Sequence, residues 1–356
     1  MRLRQWLKPL ANKYLRKQLA KAIRNSSGFF IFANMTKIGL LGIGHLGKIH
    51  LGILRGLTEY FEVVGFYDID TVEGKRIAEE YGIRFFEQAD ELLALVDAID
   101  IVVPTPFHFE WAKRGIELNK HIFVEKPVTQ TVEESHALLG LLAKYNTVFQ
   151  VGHVERFNPA FVAAEPLLNA PEFIETHRLA QFNPRGTDVP VVLDLMIHDL
   201  DIILHVVKSP VASISASGVA VVSKSHDITN ARLVFENGTV ANLTASRISL
   251  KNMRKSRFFQ RNAYVGVDFL NKSLEVVHLE PLKGTPDPYD MVLDLGEGVP
   301  PKKLSIESPS ILSTNAIEEE LKEFGRAIAY GNPVSVDLQA GHQALDLAYR
   351  ILSMLS

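Results

Sequence analysis

The chain has no cysteine among its 356 residues. Disulfides, thiolate metal sites and cysteine nucleophiles are therefore excluded, and a reducing compartment is compatible with the composition. Long apolar runs are missing as well, because no stretch approaches the roughly 18 residues needed to span a bilayer. We therefore expect a cytoplasmic protein with no membrane partner.

Acidic residues are absent from the first 34 positions. That segment holds eight basic residues, and removing them from the chain's 38 leaves 30 basic against 41 acidic residues. The remainder of the chain is thus acidic, and an acidic surface argues against nucleic acid as a partner.

The basic leader, residues 1–34, has three interpretations. Leu3, Leu7 and Leu10 follow a helical stripe, which suits a helix on a membrane surface. A secretory signal is disfavoured, because no long apolar region follows the charges. We favour the third interpretation, an upstream mis-start or dispensable extension, because the first predicted strand begins two residues after Met35.

The length suggests two domains, at roughly 100–200 residues each. Over residues 35–153, short apolar runs alternate with helical patterns, which predicts a doubly wound parallel sheet with helices on both faces, a Rossmann fold. Over residues 154–356, segments of strand character follow one another, with a hairpin signal at Asn237-Gly238. This part predicts an α+β substrate-binding and oligomerisation domain with a mostly antiparallel sheet, including a strand at 257–265 and a surface loop at 281–301.

A glycine motif, G-x-G-x-x-G, directly follows the first strand of the parallel sheet and opens a helix. Its glycines permit the tight turn, the approach of a pyrophosphate and close packing of helix and strand, while the helix N-terminus offers free N–H groups. A glycine turn without a ligand is the less favoured alternative. The motif predicts a dinucleotide site at Gly42, Gly44, His45, Leu46 and Gly47.

Asp68 ends the second strand of the parallel sheet. A carboxylate there can accept hydrogen bonds from the adenosine ribose hydroxyls, and it would repel a 2′-phosphate. Asp70 adds to this repulsion, although it can equally be a solvated residue at the strand end. We therefore predict that the cofactor is NAD rather than NADP.

Two segments could supply the chemistry of alcohol oxidation, which needs a base for the hydroxyl proton. Lys126, at the end of the fifth strand, could hydrogen-bond a substrate hydroxyl, although many such lysines are simply solvated. Asp194 and His198 are four residues apart, on one helical face, with Asp201 three further on. A neutral histidine is a suitable proton acceptor, but a surface ion cluster explains the spacing equally well. No third metal ligand is evident, so we predict no metal.

Together with Pro104-Thr105-Pro106 and Gly152-His153, these motifs resemble the Gfo/Idh/MocA oxidoreductase family over residues 36–355. The resemblance implies that Lys126, Asp194 and His198 act at the substrate. It also implies a sugar, cyclitol or nucleotide-sugar substrate and a homodimer or homotetramer. It extends the expected cofactor site to Thr105, Pro106, His108, Glu125 and Lys126.

A closer resemblance lies in residues 151–159 (VGHVERFNP) and 193–201 (LDLMIHDLD). Both are similar to the bacterial group that oxidises the C3 hydroxyl of UDP-N-acetylglucosamine. The expected substrate-binding residues are Arg156, Asn158, Arg178, Arg185 and Asp201, since arginine suits a diphosphate. A further cluster, of Arg247, Lys251, Arg254 and Lys255, is explained slightly better by a solvated loop or subunit contact.

Two other functions are compatible with these motifs. One is an inositol, free-sugar or sugar-acid dehydrogenase of the same family, in which the arginines would be structural. The other is a non-catalytic binding protein that senses dinucleotide. The presence of both Lys126 and His198 favours an enzyme, because a sensor needs neither.

Overall fold

The structure is a computed structural model. It describes residues 23–24, 30–31, 35–183, 189–287, 289–296 and 298–355. Within the leader, strands β1 (Ile23–Arg24) and β2 (Phe30–Ile31) pair antiparallel. The helical stripe considered for the leader and the predicted substrate residue Arg185 lie outside the described residues.

The first sheet has six parallel strands in the order β5-β4-β3-β6-β7-β8, which confirms the predicted Rossmann fold. The strands are β3 (Thr36–Leu41), β4 (Phe61–Tyr67), β5 (Phe85–Phe86), β6 (Ala98–Ile101), β7 (His121–Glu125) and β8 (Phe149–Gly152). The helices between them are α1 (His45–Gly56), α2 (Thr71–Tyr81), α3 (Ala89–Leu93), α4 (His108–Glu117) and α5 (Val132–Leu142).

Local sequence signals explain where these elements lie. The central strand β6 is fully buried, as expected for a parallel strand covered on both faces. Helix α5 begins with a capping box in which Thr131 and Glu134 bond each other's backbone N–H groups. Helix α2 begins at Asp70, whose side chain accepts from the backbone N–H groups of Val72 and Glu73. Asp70 is therefore a helix cap.

The second sheet has nine strands in the order β10-β11-β12-β9-β13-β14-β15-β17-β16, and only the β12–β9 pair is parallel. The predicted mostly antiparallel sheet is thus confirmed. The strands are β9 (Phe173–Leu179), β10 (Val211–Val219), β11 (Ile228–Phe235), β12 (Val240–Ser246), β13 (Met253–Gln260), β14 (Ala263–Asp268), β15 (Ser273–Pro281), β16 (Met291–Leu293) and β17 (Lys302–Glu307).

Two predictions in this region were wrong. The single strand expected over 257–265 is two strands joined at Arg261 and Asn262. The turn lacks glycine and proline, so strand-forming residues run through it without a break. The loop expected over 281–301 contains the short edge strand β16, which pairs with β17. The hairpin at Asn237-Gly238 is confirmed, with Gly238 in the left-handed region at φ 88°.

The remaining helices pack against one face of the second sheet and also contact the first sheet. They are α6 (Pro159–Ala164), a π-helix (Val192–Met196), α7 (Ile197–Val207), α8 (Ala316–Tyr330) and α9 (Leu338–Leu352). Short 3-10 turns lie at Thr105–Phe107, Val154–Phe157 and Glu165–Leu167.

The C-terminal helices connect the two sheets. Phe324 of α8 stacks on Phe61 of the first sheet, with 6.1 Å between ring centroids. Beyond α8, Val336 accepts a backbone hydrogen bond from Val151 of β8. At the carboxyl end of the first sheet, Lys126, which follows β7, contacts Asp194 of the π-helix. No helix within the described ranges is long and apolar enough to cross a membrane.

Candidate active site

The glycine turn between β3 and α1 has the shape that a dinucleotide requires. Gly42 has φ 97°, and a Cβ there would lie 2.8 Å from the carbonyl oxygen of Val102. A Cβ on Gly47 would lie 2.4 Å from the carbonyl oxygen of Gly42, so helix and turn pack too closely for any side chain. At Gly44 a Cβ would meet nothing within 4 Å, so this side of the turn is open. These residues fit a pyrophosphate at the start of α1.

Asp68 is fixed beside this turn. Its Oδ2 accepts the backbone N–H of Ile43 at 2.7 Å, and its Oδ1 accepts that of Asp70 at 2.9 Å. A carboxylate can accept about four hydrogen bonds, so two remain for ribose hydroxyls. The turn and the carboxylate therefore form one unit suited to the adenosine end of the cofactor.

This arrangement predicts weak binding of NADP+. Replacing Asp68 by asparagine should weaken NAD+ binding by about 1.5–3 kcal/mol, the scale of a hydrogen bond to a charged group. NADP+ should lose less or gain, because the charge that repels its 2′-phosphate is removed. Calorimetric titration of both cofactors into both proteins measures the difference. Equal affinity of the unaltered enzyme for NAD+ and NADP+ would contradict this prediction.

The buried imidazole of His108 lies between the loops that follow β6 and β7. Its Nδ1 lies 2.8 Å from the carbonyl oxygen of Pro127, and its Nε2 lies 2.8 Å from that of Val103. Burial lowers the pKa of His108. Both nitrogens face backbone carbonyls, which leaves neither for a ligand. Thr105 and Pro106 form the 3-10 turn above it, at the carboxyl end of β6.

Lys126 and Asp194 meet in space although 68 residues separate them. The Nζ of Lys126 donates to the backbone carbonyl of Asp194 at 2.9 Å and lies 3.5 Å from its Oδ1. Both side chains are partly buried. Asp194 lies in the π-helix, whose widened turn presents its carbonyl to the lysine; such turns occur frequently at functional sites.

His198 lies one turn further, at the start of α7. Burial lowers its pKa well below the ordinary histidine value, and the positive charges of Lys126 and Arg178 lower it further. Its Nδ1 has no hydrogen-bond partner among the described residues. The imidazole is therefore neutral at neutral pH and able to accept a proton.

His153 stands beside this histidine, directly after β8. The two rings are 6.3 Å apart and nearly perpendicular. Both nitrogens of His153 are buried without a hydrogen-bond partner in the described part of the chain, and burial lowers its pKa. Gly152-His153 was predicted only as part of the family resemblance, with no role of its own, although its position directly after a parallel strand was a signal.

Arg156 and Arg178, both expected at the substrate, are instead paired inside the protein. Arg156 donates to both carboxylate oxygens of Asp201, at 2.6 and 2.9 Å. Arg178 is 3% exposed and donates to Asp199 and Glu155.

Asn158 belongs to the same network. Its side-chain amide donates to Glu155 and to the carbonyl of Phe269, both at 3.0 Å. Arg156, Asn158, Arg178 and Asp201 are all buried, and their contacts hold α7 against the second sheet. Sequence alone could not separate these buried cations from exposed ones, because the residue type is the same.

Arg254 is the cation of the 247–255 cluster that reaches the site. It is aligned with Arg178 across the β13–β9 pair, on the face where Ser256 and Phe258 are buried. Its side chain is nevertheless 50% exposed, with Nη1 3.7 Å from Oε1 of Glu155. Its positive charge also contributes to the lowered pKa of His198. Arg254 therefore lies at the rim of the site.

The other basic residues of this cluster lie differently. Arg247 is buried near Asp227, and the Nζ of Lys255 lies 3.1 Å from Oδ2 of Asp268. Lys251 is exposed.

The fold and the glycine turn are those of a dinucleotide-binding protein, and Lys126, Asp194 and His198 lie together beyond the end of β7. The sequence model of an oxidoreductase family with an NAD-binding Rossmann fold matches residues 36–153, and a Gfo/Idh/MocA C-terminal domain matches residues 175–260. The chain belongs to the Gfo/Idh/MocA family of NAD-binding oxidoreductases. The predicted family and cofactor are thereby confirmed.

Individual relatives agree with this. The chain is 34% identical over 318 residues to UDP-N-acetylglucosamine 3-dehydrogenase of Acidithiobacillus ferrooxidans, covering 88% of this chain and 96% of the relative. A solved structure of that enzyme superposes with a TM-score of 0.81 at 33% identity, covering 90% of this chain and 98% of that chain. The NAD(+)-dependent scyllo-inositol 2-dehydrogenase of Bacillus subtilis is 28% identical, over 61% of this chain and 68% of the relative.

Proposed function

We propose that this enzyme oxidises a hydroxyl of a nucleotide sugar, with the C3 hydroxyl of UDP-N-acetylglucosamine as the preferred substrate group. The observation that carries the proposal is the placement of Lys126, held by Asp194, beside the neutral imidazole of His198. The 34% identity to UDP-N-acetylglucosamine 3-dehydrogenase over 96% of that relative supports the choice of substrate.

The chain's own groups can divide the work of the reaction. His198 accepts the proton of the hydroxyl as the C–H bond breaks. The ammonium of Lys126 hydrogen-bonds the same oxygen and stabilises the negative charge that develops there before the carbonyl forms. Asp194 holds the lysine in place.

The remaining groups bind the cofactor. Bound NAD+ supplies the acceptor of the hydride, which leaves the carbon with both bonding electrons. Gly42, Gly44 and Gly47 would hold its pyrophosphate, and Asp68 would accept hydrogen bonds from its ribose. Thr105 and Pro106, at the end of β6, would lie along the dinucleotide.

A panel of substrates tests the function. UDP-N-acetylglucosamine, free N-acetylglucosamine and inositols are each offered with NAD+, and NADH is followed by absorbance. We expect turnover with the UDP-sugar and little with the others. Preferential oxidation of an inositol would move the enzyme to the alternative substrate class, and an absence of turnover with every compound would favour a dinucleotide-sensing protein.

Arg254 offers a cation for the diphosphate of such a substrate. Replacing it by methionine should raise KM for the UDP-sugar by about 10–150-fold, corresponding to a hydrogen bond to a charged group of about 1.5–3 kcal/mol. KM for any free sugar that reacts should stay unchanged. Arg257→Met is a matched control, because Arg257 lies on the same strand with its side chain paired to Glu175. Equal effects of the two substitutions would remove Arg254 from the substrate site.

We also propose that the protein forms a homodimer or homotetramer through the outer face of the second sheet. This face carries polar residues around an open groove, among them Glu175, His177, Asn230 and Arg232. Light scattering should give a multiple of the 39.7 kDa chain mass. A monomer at micromolar concentration would contradict this proposal.

A further inference from the structure

Four ionisable side chains lie together next to Lys126, on the side away from the open site. They are His50 of α1, Asp100 of β6, Glu125 of β7 and Glu320 of α8, named here the buried acid cluster. Three of them are 0% exposed, and Glu125 is largely buried. Burying so many charges is costly unless they are paired or neutralised.

The parallel register brings the cluster together. The Nδ1 of His50 lies 2.9 Å from Oδ2 of Asp100, and its Nε2 lies 3.4 Å from Oε1 of Glu125. Glu125 is opposite Gly152, where a Cβ would lie only 2.9 Å from Oε1 of the glutamate. The absence of a side chain at Gly152 thus leaves room for this carboxylate.

Glu125 also connects the cluster to the site. Its Oε2 accepts the backbone N–H of Lys126 at 3.2 Å. The carboxylate therefore lies directly behind the residue that holds Asp194. His50 belongs to α1, the helix that begins at the cofactor turn, so the cluster also ties that helix to the lysine.

The charges in the cluster follow from this geometry. Burial opposes the charged form of His50, but the carboxylates of Asp100 and Glu125 outweigh it and raise the pKa of His50 well above its ordinary value. Burial would raise the pKa of Glu125, but the hydrogen bond and positive charge of His50, with the charge of Lys126, lower it.

Glu320 is in the opposite situation. Burial, together with the charge of Glu125, raises the pKa of Glu320 well above its ordinary value. Neither carboxyl oxygen of Glu320 has a hydrogen-bond partner within the described residues. A third carboxylate has no counter-charge here, so Glu320 is the member that carries a proton.

We propose that the buried acid cluster is a positioning device for the reaction: protonated His50 keeps Glu125 ionised behind Lys126, while Glu320 remains a neutral carboxylic acid. Glu125 was expected in the cofactor site from the family resemblance, but in the role proposed here it touches neither substrate nor cofactor. The same holds for His50 and Glu320. They fix the electrostatic field in which the proton acceptor works. The proposal rests on the assignment of Lys126 and His198 to the proposed function.

Other charged groups face the same region and must be included. Titratable or charged groups around Lys126, Glu125 and His198 are Asp194, His108, His153, Arg178, Arg254 and, beside Glu320, Glu323. The substitutions below leave all of them in place.

The pH dependence of kcat, measured with NAD+ saturating, tests the link to the reaction. The carboxylate of Glu125 acts on Lys126 and His153, which both neighbour the acceptor His198. Its loss in Glu125→Gln disfavours a further positive charge in this group, so the acid limb should move to lower pH by about one unit. His50→Gln should move it in the same direction but by less, because Glu125 takes up a proton without its partner while the positive charge of His50 is lost as well. The double variant should move no further than Glu125→Gln alone.

Two variants separate this role from packing. Glu320→Gln should keep the midpoint of the acid limb, since it replaces one neutral group by another. Glu79→Gln, the same change at an exposed site on α2, is the matched control. A fall in kcat with an unmoved midpoint in Glu125→Gln and His50→Gln, or a moved midpoint in Glu320→Gln, would overturn the proposal.

Infrared spectroscopy gives a readout that needs neither substrate nor activity. Above the ordinary carboxyl titration range, the enzyme should show the carbonyl band of a protonated carboxylic acid, and Glu320→Gln should abolish it. Lys126→Ala should retain it. If the band is absent from an active enzyme, the proposal for the buried acid cluster is wrong and the proposed function stands. If the band is present in a protein that is inactive with every substrate, the proposed function is wrong and the protonated Glu320 stands. Stoichiometric metal in the purified protein, lost in His50→Gln, would make the cluster a metal site and also overturn the proposal.

Discussion

Replacing Lys126 by alanine should lower turnover by about 10²–10⁴-fold, the range for a positioned acid or base. NAD+ binding should remain nearly intact, because the glycine turn and Asp68 lie apart from the lysine. The change removes the ammonium that hydrogen-bonds Asp194 and faces the substrate hydroxyl. Steady-state rates with NAD+ saturating measure the loss, and calorimetric titration of NAD+ measures binding.

His198→Ala should reduce turnover to a similar extent, because it removes the proton acceptor. Since both groups serve one transition state, the double variant should be much less impaired than the product of the single effects. Asp194→Asn should cost less if Asp194 only orients its neighbour. Lys144→Ala, at an exposed lysine on the same domain, is the control. Near-normal turnover in both single variants would show that the catalytic assignment is mistaken.

Arg178→Met should destabilise the protein by about 3–5 kcal/mol, the cost of leaving buried charges without their partner. The guanidinium lies between Asp199 and Glu155, and both carboxylates would lose their counter-charge. Denaturant unfolding followed by circular dichroism measures the change in free energy.

Arg261→Met is the matched control for this substitution. Arg261 is exposed and lies in the turn that joins β13 to β14 in the same sheet. We expect a change within about 0.5 kcal/mol, as for ordinary surface positions. If Arg178→Met and Arg261→Met unfold at the same denaturant concentration, the buried network does not stabilise α7 against the sheet.

The sequence was informative wherever a local rule fixes the structure. The dinucleotide turn could be predicted from the G-x-G-x-x-G motif. Gly42 and Gly47 pack against backbone atoms that leave no room for a Cβ, and Gly44 keeps the turn open for a pyrophosphate. A helix around Asp194 and His198 could be predicted because apolar residues recur there at helical spacing, and the structure has helical turns over both residues. The π-helix was not foreseen, and its widened turn is what presents the carbonyl of Asp194 to Lys126.

Features that depend on contacts between distant segments could not be predicted. Arg178 and Arg254 look alike in sequence, yet one is enclosed by Glu155 and Asp199 and the other is half-exposed. The buried acid cluster joins residues from four separate elements, so no spacing rule identifies Glu320 as a neighbour of Glu125.

Transfer of deuterium from the sugar tests the central claim most directly. UDP-N-acetylglucosamine labelled with deuterium at C3 is incubated with the enzyme and NAD+, and the reduced cofactor is analysed by mass spectrometry. We expect the nicotinamide to gain the deuterium with the unaltered enzyme, and we expect Lys126→Ala to form the product at least about 100-fold more slowly. NADH without deuterium, or no NADH from this sugar, would contradict that claim.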